Sequence, residues 1–259
     1  MSEAPRSHLD PAETLLLMVF AFALLWLGGG PLQHGLGIYG LALSEVVLVL
    51  GPALVWTLWR GVSPVRAWRL GWPGLGPVIA AMVAGAGGFY LVAALVESVM
   101  ERILPVPPEL RERLRQAILP PGGPRPFIVD AVALALLPAL CEEALFRGAL
   151  LGALRPAGRA PAVAATALLF GFYHGNLWKA VPTALLGALL GTVALRARSL
   201  WPAVAAHLAN NVLVLLLVRS GWESPPPLDS IQGLLLVAVA LLAVAVGLWA
   251  LRPADIHYE

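Results

Sequence analysis

FIVDAVALALLPALCEEALFRGALLGAL, residues 127–154, is a run of Ala, Leu, Val and Pro into which Cys141-Glu142-Glu143-Ala144-Leu145-Phe146-Arg147 places two carboxylates and a guanidinium. If the run crosses a bilayer, each ionisable group near its centre costs about 2.5–3.5 kcal/mol on insertion scales, and the default reading of such a group is a functional site. The rest of the chain decides whether the run does cross.

Composition says that it does. Hydrophobic residues make up 59% of the 259, charged residues 12%, and the mean hydropathy is +0.81, against about 45–50% apolar and about 25% charged in soluble domains. The chain reads as a polytopic membrane protein in the all-α class, one membrane domain over residues 1–259 with almost no soluble part. Its net charge of +2 comes from basic residues flanking apolar runs, as membrane orientation alone produces, so nucleic-acid binding is not expected. The one cysteine excludes an intramolecular disulfide and any Cys-rich metal site. Only one of the 17 basic residues is a lysine, Lys179, and with so much Ala, Gly and Pro this points to a GC-rich bacterial genome.

With roughly 20 apolar residues per span, about eight spanning helices are expected. They run from about Glu13 to Leu27, Ile38 to Trp59, Pro77 to Met100, Phe127 to Leu154, Arg159 to His174, Trp178 to Leu195, Trp201 to Val218 and Ile231 to Leu251. The first is read as retained and as closed by Gly28-Gly29-Gly30-Pro31; Pro52 is expected to kink the second, and Gly85 to Gly88 to let a neighbour approach the third. Arg60, Arg66 and Arg69 with Trp68 and Trp72 read as an interfacial loop. Glu97 and Glu101 are expected to leave the membrane at the end of the third span. Residues 109–119, with Leu110, Leu114, Ala117 and Ile118 on one face and Arg111, Arg113 and Arg115 around the other, read as an interfacial amphipathic helix. Arg6, Arg60, Arg66, Arg69, Arg155, Arg159, Arg196, Arg198 and Arg252 gather on the side of the termini, so both termini are expected in the cytoplasm, in a bacterial cytoplasmic membrane.

Few other polar side chains fall inside the spans, and they cluster. His8, His34 and His257 lie in tails or loops, leaving His174 and His207; the three asparagines, Asn176, Asn210 and Asn211, are each within four residues of one of these. Glu143 and Arg147, four apart, share a helix face, so the guanidinium can neutralise that carboxylate. Glu142 lies about 100° around the helix and is left as the unpaired carboxylate. His207 and Asn211 share a face on the seventh span, and Phe170 and His174 repeat the spacing on the fifth. The set suits amide hydrolysis without a nucleophilic side chain: a desolvated carboxylate as general base, an imidazole on the water or leaving amine, and a His–Asn pair at the oxyanion. Cys141 reads as a buried packing residue. Two histidines and a carboxylate, His174, His207 and Glu142, are also a donor set for a divalent metal such as zinc, and spacing does not choose between the two readings. Glu45 and Asp130 read as structural or interfacial. The span boundaries leave a tension, because His207 lies near the terminus side and His174 near the far end of its span.

EExxxR (Glu142, Glu143, Arg147), FxxxH (Phe170, His174) and HxxxN (His207, Asn211), in that order on membrane spans, resemble the three motifs of the CPBP family of intramembrane proteases, also called the CAAX protease and bacteriocin-processing family. The resemblance covers about residues 127–219, the motif-bearing core. It implies an α-helical membrane endopeptidase in which Glu142 with His174 activates water, His207 with Asn211 forms the oxyanion hole, and Glu143 with Arg147 shapes the site. Both metal-dependent and glutamate-dependent mechanisms are argued for the family. The implied partners are the bilayer and a peptide or membrane-protein substrate, with lipidated peptides the CAAX case. The competing class is non-enzymatic: a proton-coupled transporter relaying through Glu142 and His174, or an immunity or scaffold protein, separated from a peptidase by pH-driven uptake into liposomes.

Overall fold

The computed structural model describes residues 9–222 and 224–251. Arg6, His8, Arg252 and His257 lie outside the described residues, as do the side chains of Glu97 and Met100. Among the described residues the long elements are helices: α1 (Pro11–Leu36), α2 (Ile38–Trp59), α3 (Leu75–Leu95), α4 (Pro108–Ile118), α5 (127–154), α6 (Arg159–Tyr173), α7 (Leu177–Ala197), α8 (Trp201–Arg219) and α9 (Ile231–Ala250). Six of them, α1, α2, α3, α7, α8 and α9, are long and apolar enough to cross a membrane. The chain is an all-α polytopic integral membrane protein.

The other two expected spans differ for physical reasons. Helix α5 carries Asp130, Glu142, Glu143 and Arg147, too many charges for an ordinary lipid-facing span, and every residue from Cys141 to Leu150 is buried. It runs through the protein interior, where its charges meet partners rather than lipid. Helix α6 has 15 residues, a rise of about 22 Å against the roughly 30 Å hydrocarbon core. A helix this short need not carry His174 to the opposite surface, which removes the depth conflict with His207.

Gly28 to Pro31 does not close the first helix, which continues to Leu36. A proline inside a helix lacks a donor and clashes with the carbonyl four residues back; here the helix widens to π-type turns over Leu25–Gly29 and accommodates Pro31. The same device precedes Pro52, at Glu45–Leu50, and Pro138, at Ala131–Leu136. A further widened stretch, Ala144–Leu150, has no proline after it. Here a side chain from elsewhere meets the ladder: Nη2 of Arg69 donates to the carbonyl of Arg147 at 2.9 Å, and an inserted donor is one of the few things that accompany an opened helical ladder.

Arg69 and Trp68 are therefore buried, not interfacial. Trp68 packs against Gly148 and donates from Nε1 to Thr57 Oγ1 at 3.2 Å. The loop folds inward because its polar groups find partners there: Leu200 N–H donates to the Arg69 carbonyl, Ser199 Oγ to that of Gly71, and Trp201 Nε1 to that of Leu70. Trp72 remains exposed. At the other end of the bundle Asp130, buried, accepts from Arg125 Nε and Arg219 Nη2, both at 2.6 Å, tying α5 to α8. Helix α4 forms as expected and rests its half-buried Leu110, Leu114 and Ile118 toward the bundle, whereas Ala117 is exposed; Glu101 pairs with Arg111 at 2.7 Å.

Helix α3 is packed closely by α8 and α9 through glycine, as small residues at membrane interfaces permit. A Cβ on Gly85 would overlap the backbone of Ala206, reaching 2.8 Å from its Cα, and one on Gly247 would lie 2.8 Å from Ala84 Cβ. Ala206 precedes His207, so Gly85 sets how near α8 stands. Gly85→Leu is expected to force α8 outward at a cost of about 1–3 kcal/mol, as overpacking does, and to displace His207. A lowered thermal midpoint together with lost activity checks this.

Candidate active site

Arg147 is fully buried and so is Glu143. Arg147 Nη1 donates to Glu143 Oε1 at 2.8 Å and Nη2 to the Gly187 carbonyl at 2.9 Å. A Cβ at Gly187 would crowd the pair, lying 3.1 Å from Ala167 Cα, 3.2 Å from Phe170 and 3.3 Å from Arg147 Nη2. The guanidinium also sits over the Phe170 ring, 4.6 Å from its centroid. The pair is thus anchored on α5, α6 and α7 at once, the brace that the four-residue spacing predicts.

His207, on α8, stands between the two carboxylates of α5. Its Nδ1 is 3.0 Å from Glu143 Oε1, the same oxygen that accepts from Arg147, and its Nε2 is 3.9 Å from Glu142 Oε2. A carboxylate beside Nδ1 puts the hydrogen on that nitrogen and fixes the ring. Glu142 Oε2 is buried with no hydrogen-bond partner, so Glu142 is the carboxylate left unpaired while Glu143 is held twice. Phe170 lies between the two imidazoles, its centroid 5.0 Å from His174 and 5.9 Å from His207, edge-on to both. His174 follows the last turn of α6, and its Nδ1 is 2.9 Å from the Phe170 carbonyl. A carbonyl only accepts, so Nδ1 carries the hydrogen and Nε2 presents a lone pair. On α8, Asn210 Nδ2 donates to Asn211 Oδ1 at 2.9 Å, which leaves the Asn211 amide nitrogen as the free donor.

Residues 124–213 match the family model described as Type II CAAX prenyl endopeptidase Rce1-like. This segment is similar to that family. The match agrees with the CPBP family that the ordered motifs resemble, and it supports a protease-like hydrolase acting in a membrane. No curated protein and no solved structure matches the chain.

The matched segment contains Glu142, Glu143, Arg147, Phe170, His174, His207 and Asn211. The structure adds groups that sequence reading passed over. Asn210 orients Asn211, a role visible only once two adjacent amides are seen to bond. Arg69, from outside that segment, caps the carbonyl that the widened turn at Arg147 releases; its backbone is left-handed, φ 57°, a conformation that costs a non-glycine residue energy and persists where surroundings enforce it. Glu45 is buried against the α5 segment that ends in Glu143. Its signal was present, a carboxylate inside an apolar span.

Among the described residues no three His, Cys, Asp or Glu side chains are grouped so as to hold a metal ion. His207 Nδ1 is held by Glu143 and His174 Nδ1 by a backbone carbonyl, contacts that orient each ring and leave its Nε2 unbonded by them.

Proposed function

We propose that the chain is an intramembrane endopeptidase that hydrolyses a peptide bond of a membrane-associated peptide or membrane protein. The observation that carries this reading is His207 between two buried carboxylates, one braced by Arg147 and the other unpaired. That asymmetry gives two like groups separate tasks, a pattern that separates a base from a structural acid.

In this reading Glu142 takes a proton from water, whose second O–H points to the lone pair on His174 Nε2. The hydroxide attacks the carbonyl carbon, and the oxyanion is stabilised by the Asn211 amide N–H and by His207, which donates from Nε2 when both ring nitrogens carry hydrogen, the one on Nδ1 being held by Glu143. When the C–N bond breaks, Glu142 returns the proton to the leaving amine, so one water is consumed and the base is restored. Burial of Glu142, Glu143 and His207 supports a water-poor site, where such interactions are stronger.

The matched family is described as a CAAX prenyl endopeptidase, so a peptide with a lipidated cysteine near its C-terminus is the first substrate to test. By the count of basic residues, the bundle end carrying the 60–74 loop faces the cytoplasm. The test is cleavage of such peptides by the purified protein in liposomes, followed by mass spectrometry. Activity is expected to survive exhaustive chelation, with no stoichiometric metal by elemental analysis. Loss of activity on chelation, with recovery on zinc, would reverse the mechanistic reading.

A further inference from the structure

The loop between α2 and α3 lies on the last turns of α5 and leaves a cavity of about 100 Å³ beside them. Gly148, Ala149, Gly152 and Ala153, on one face of α5, form a wall of small residues. A Cβ on Gly148 would lie 2.8 Å from Trp68 Cγ, and one on Gly152 3.3 Å from the Ala67 carbonyl oxygen. Larger residues at these two positions would push the loop off the helix.

Three guanidinium-bearing side chains line the same cavity, Arg66 and Arg69 from the loop and Arg155 from the turn that follows α5, and no lining residue is acidic. Arg69 is 5% exposed and held in place: its Nη2 donates to the Arg147 carbonyl at 2.9 Å and its Nη1 to the Ala194 carbonyl at 3.4 Å. Arg66 and Arg155 are exposed, and among the described residues neither makes an ion pair with a carboxylate. Membrane orientation alone gathers arginines in loops, but it does not require three to converge on one cavity, one of them buried.

The chemistry that fits is a phosphate group. Guanidinium forks match its oxygens and bind them two at a time, and at about 10–15 Å³ for each water-sized oxygen the cavity takes all four. The place of the cavity names the source. It lies where α2 and α5 end, and Val65 and Trp72 of the same loop are exposed, an apolar and aromatic fringe of the kind that sits at headgroup level. Basic pockets between spanning helices at that level take anionic headgroups.

We propose that this cavity binds the phosphate group of an anionic lipid, with Arg66 and Arg155 as the closing donors and Arg69 as the fixed charge between them. The site does not depend on the endopeptidase reading, and its test needs no substrate.

The full chain is reconstituted in vesicles of phosphatidylcholine, whose ammonium group offsets its phosphate, and in vesicles of phosphatidylcholine and phosphatidylglycerol in equal parts. The thermal midpoint is expected to be about 2–5 °C higher in the anionic vesicles, as for a ligand that binds only the folded state. Arg66→Gln with Arg155→Gln should lose most of that rise while melting as the wild type does in phosphatidylcholine, since both side chains are exposed. Arg102→Gln with Arg113→Gln, which removes two exposed arginines at the other end of the bundle, should keep the rise and so separates a site from general attraction between charges. No rise in the wild type, an equal rise in the Arg66/Arg155 variant, or the same loss in both variants would overturn the site. Inorganic phosphate added to the phosphatidylcholine vesicles tests the source. Little or no rise is expected; a full rise that the Arg66/Arg155 variant loses would keep the phosphate site and overturn the lipid as its ligand.

Discussion

Glu142→Gln is expected to lower kcat by about 10²–10⁴-fold, the usual contribution of a general base, while KM stays near the wild-type value. The substitution changes one oxygen for an amide nitrogen and leaves the volume and the helix unaltered. What it removes is the carboxylate of the α5 pair that is free to accept a proton from water, since Glu143 already accepts from Arg147 Nη1 and from His207 Nδ1. Stability should hold or rise, because Glu142 Oε2 has no protein partner to lose and the neutral amide costs less to bury than a carboxylate. Intact folding with lost turnover separates a catalytic group from a packing one. Steady-state kinetics beside a thermal melt of the same preparation reads both.

Arg147→Met should have the largest effect on stability, about 3–5 kcal/mol, the usual cost of breaking a buried ion pair by removing one partner. The reason is what stays behind: Glu143, fully buried, loses the guanidinium that pairs with it, and the Gly187 carbonyl loses its donor. The size of the effect need not reflect the net value of the pair, and a second variant shows this. Arg147→Met with Glu143→Gln removes both charges and should recover much of the loss. Activity should not return with stability, because His207 would then lack the carboxylate that fixes its ring. Thermal or denaturant melts of the two variants, set against their turnover, test this order.

Much of the bundle was legible because lipid leaves the backbone few choices. Ile38–Trp59 forms as one helix with the bounds that its apolar run predicts, and α7, α8 and α9 end within two residues of their expected limits. Where the reading failed, a tertiary contact outweighed a local signal. Gly28 to Pro31 looked like a stop, yet a widened turn absorbs the proline and the helix runs on. Arg69 and Trp68 looked like an interfacial anchor, but the carbonyls of Arg147 and Ala194 and the hydroxyl of Thr57 draw them inside. No periodicity within residues 60–72 encodes those partners.

The cluster was legible in part for a different reason. Four-residue spacing put Glu143 on Arg147, and the ion pair is there at 2.8 Å. Spacing within one helix says nothing about which helix faces which. That His207 stands by both glutamates, that Phe170 meets His207, and that Glu45 closes on the α5 segment are contacts across 30 to 100 residues of sequence. The metal alternative turned on the same kind of information, since its donors sit on three separate helices.

The account stands most directly on one comparison: wild type and Glu142→Gln, each reconstituted in liposomes with a membrane-anchored lipidated peptide in water enriched in heavy oxygen, with products read by mass spectrometry. The expected result is two fragments from the wild type, the new carboxylate carrying one heavy oxygen, and neither fragment from the variant at an unchanged or higher thermal midpoint. The same fragments at the same rate from both proteins would contradict it.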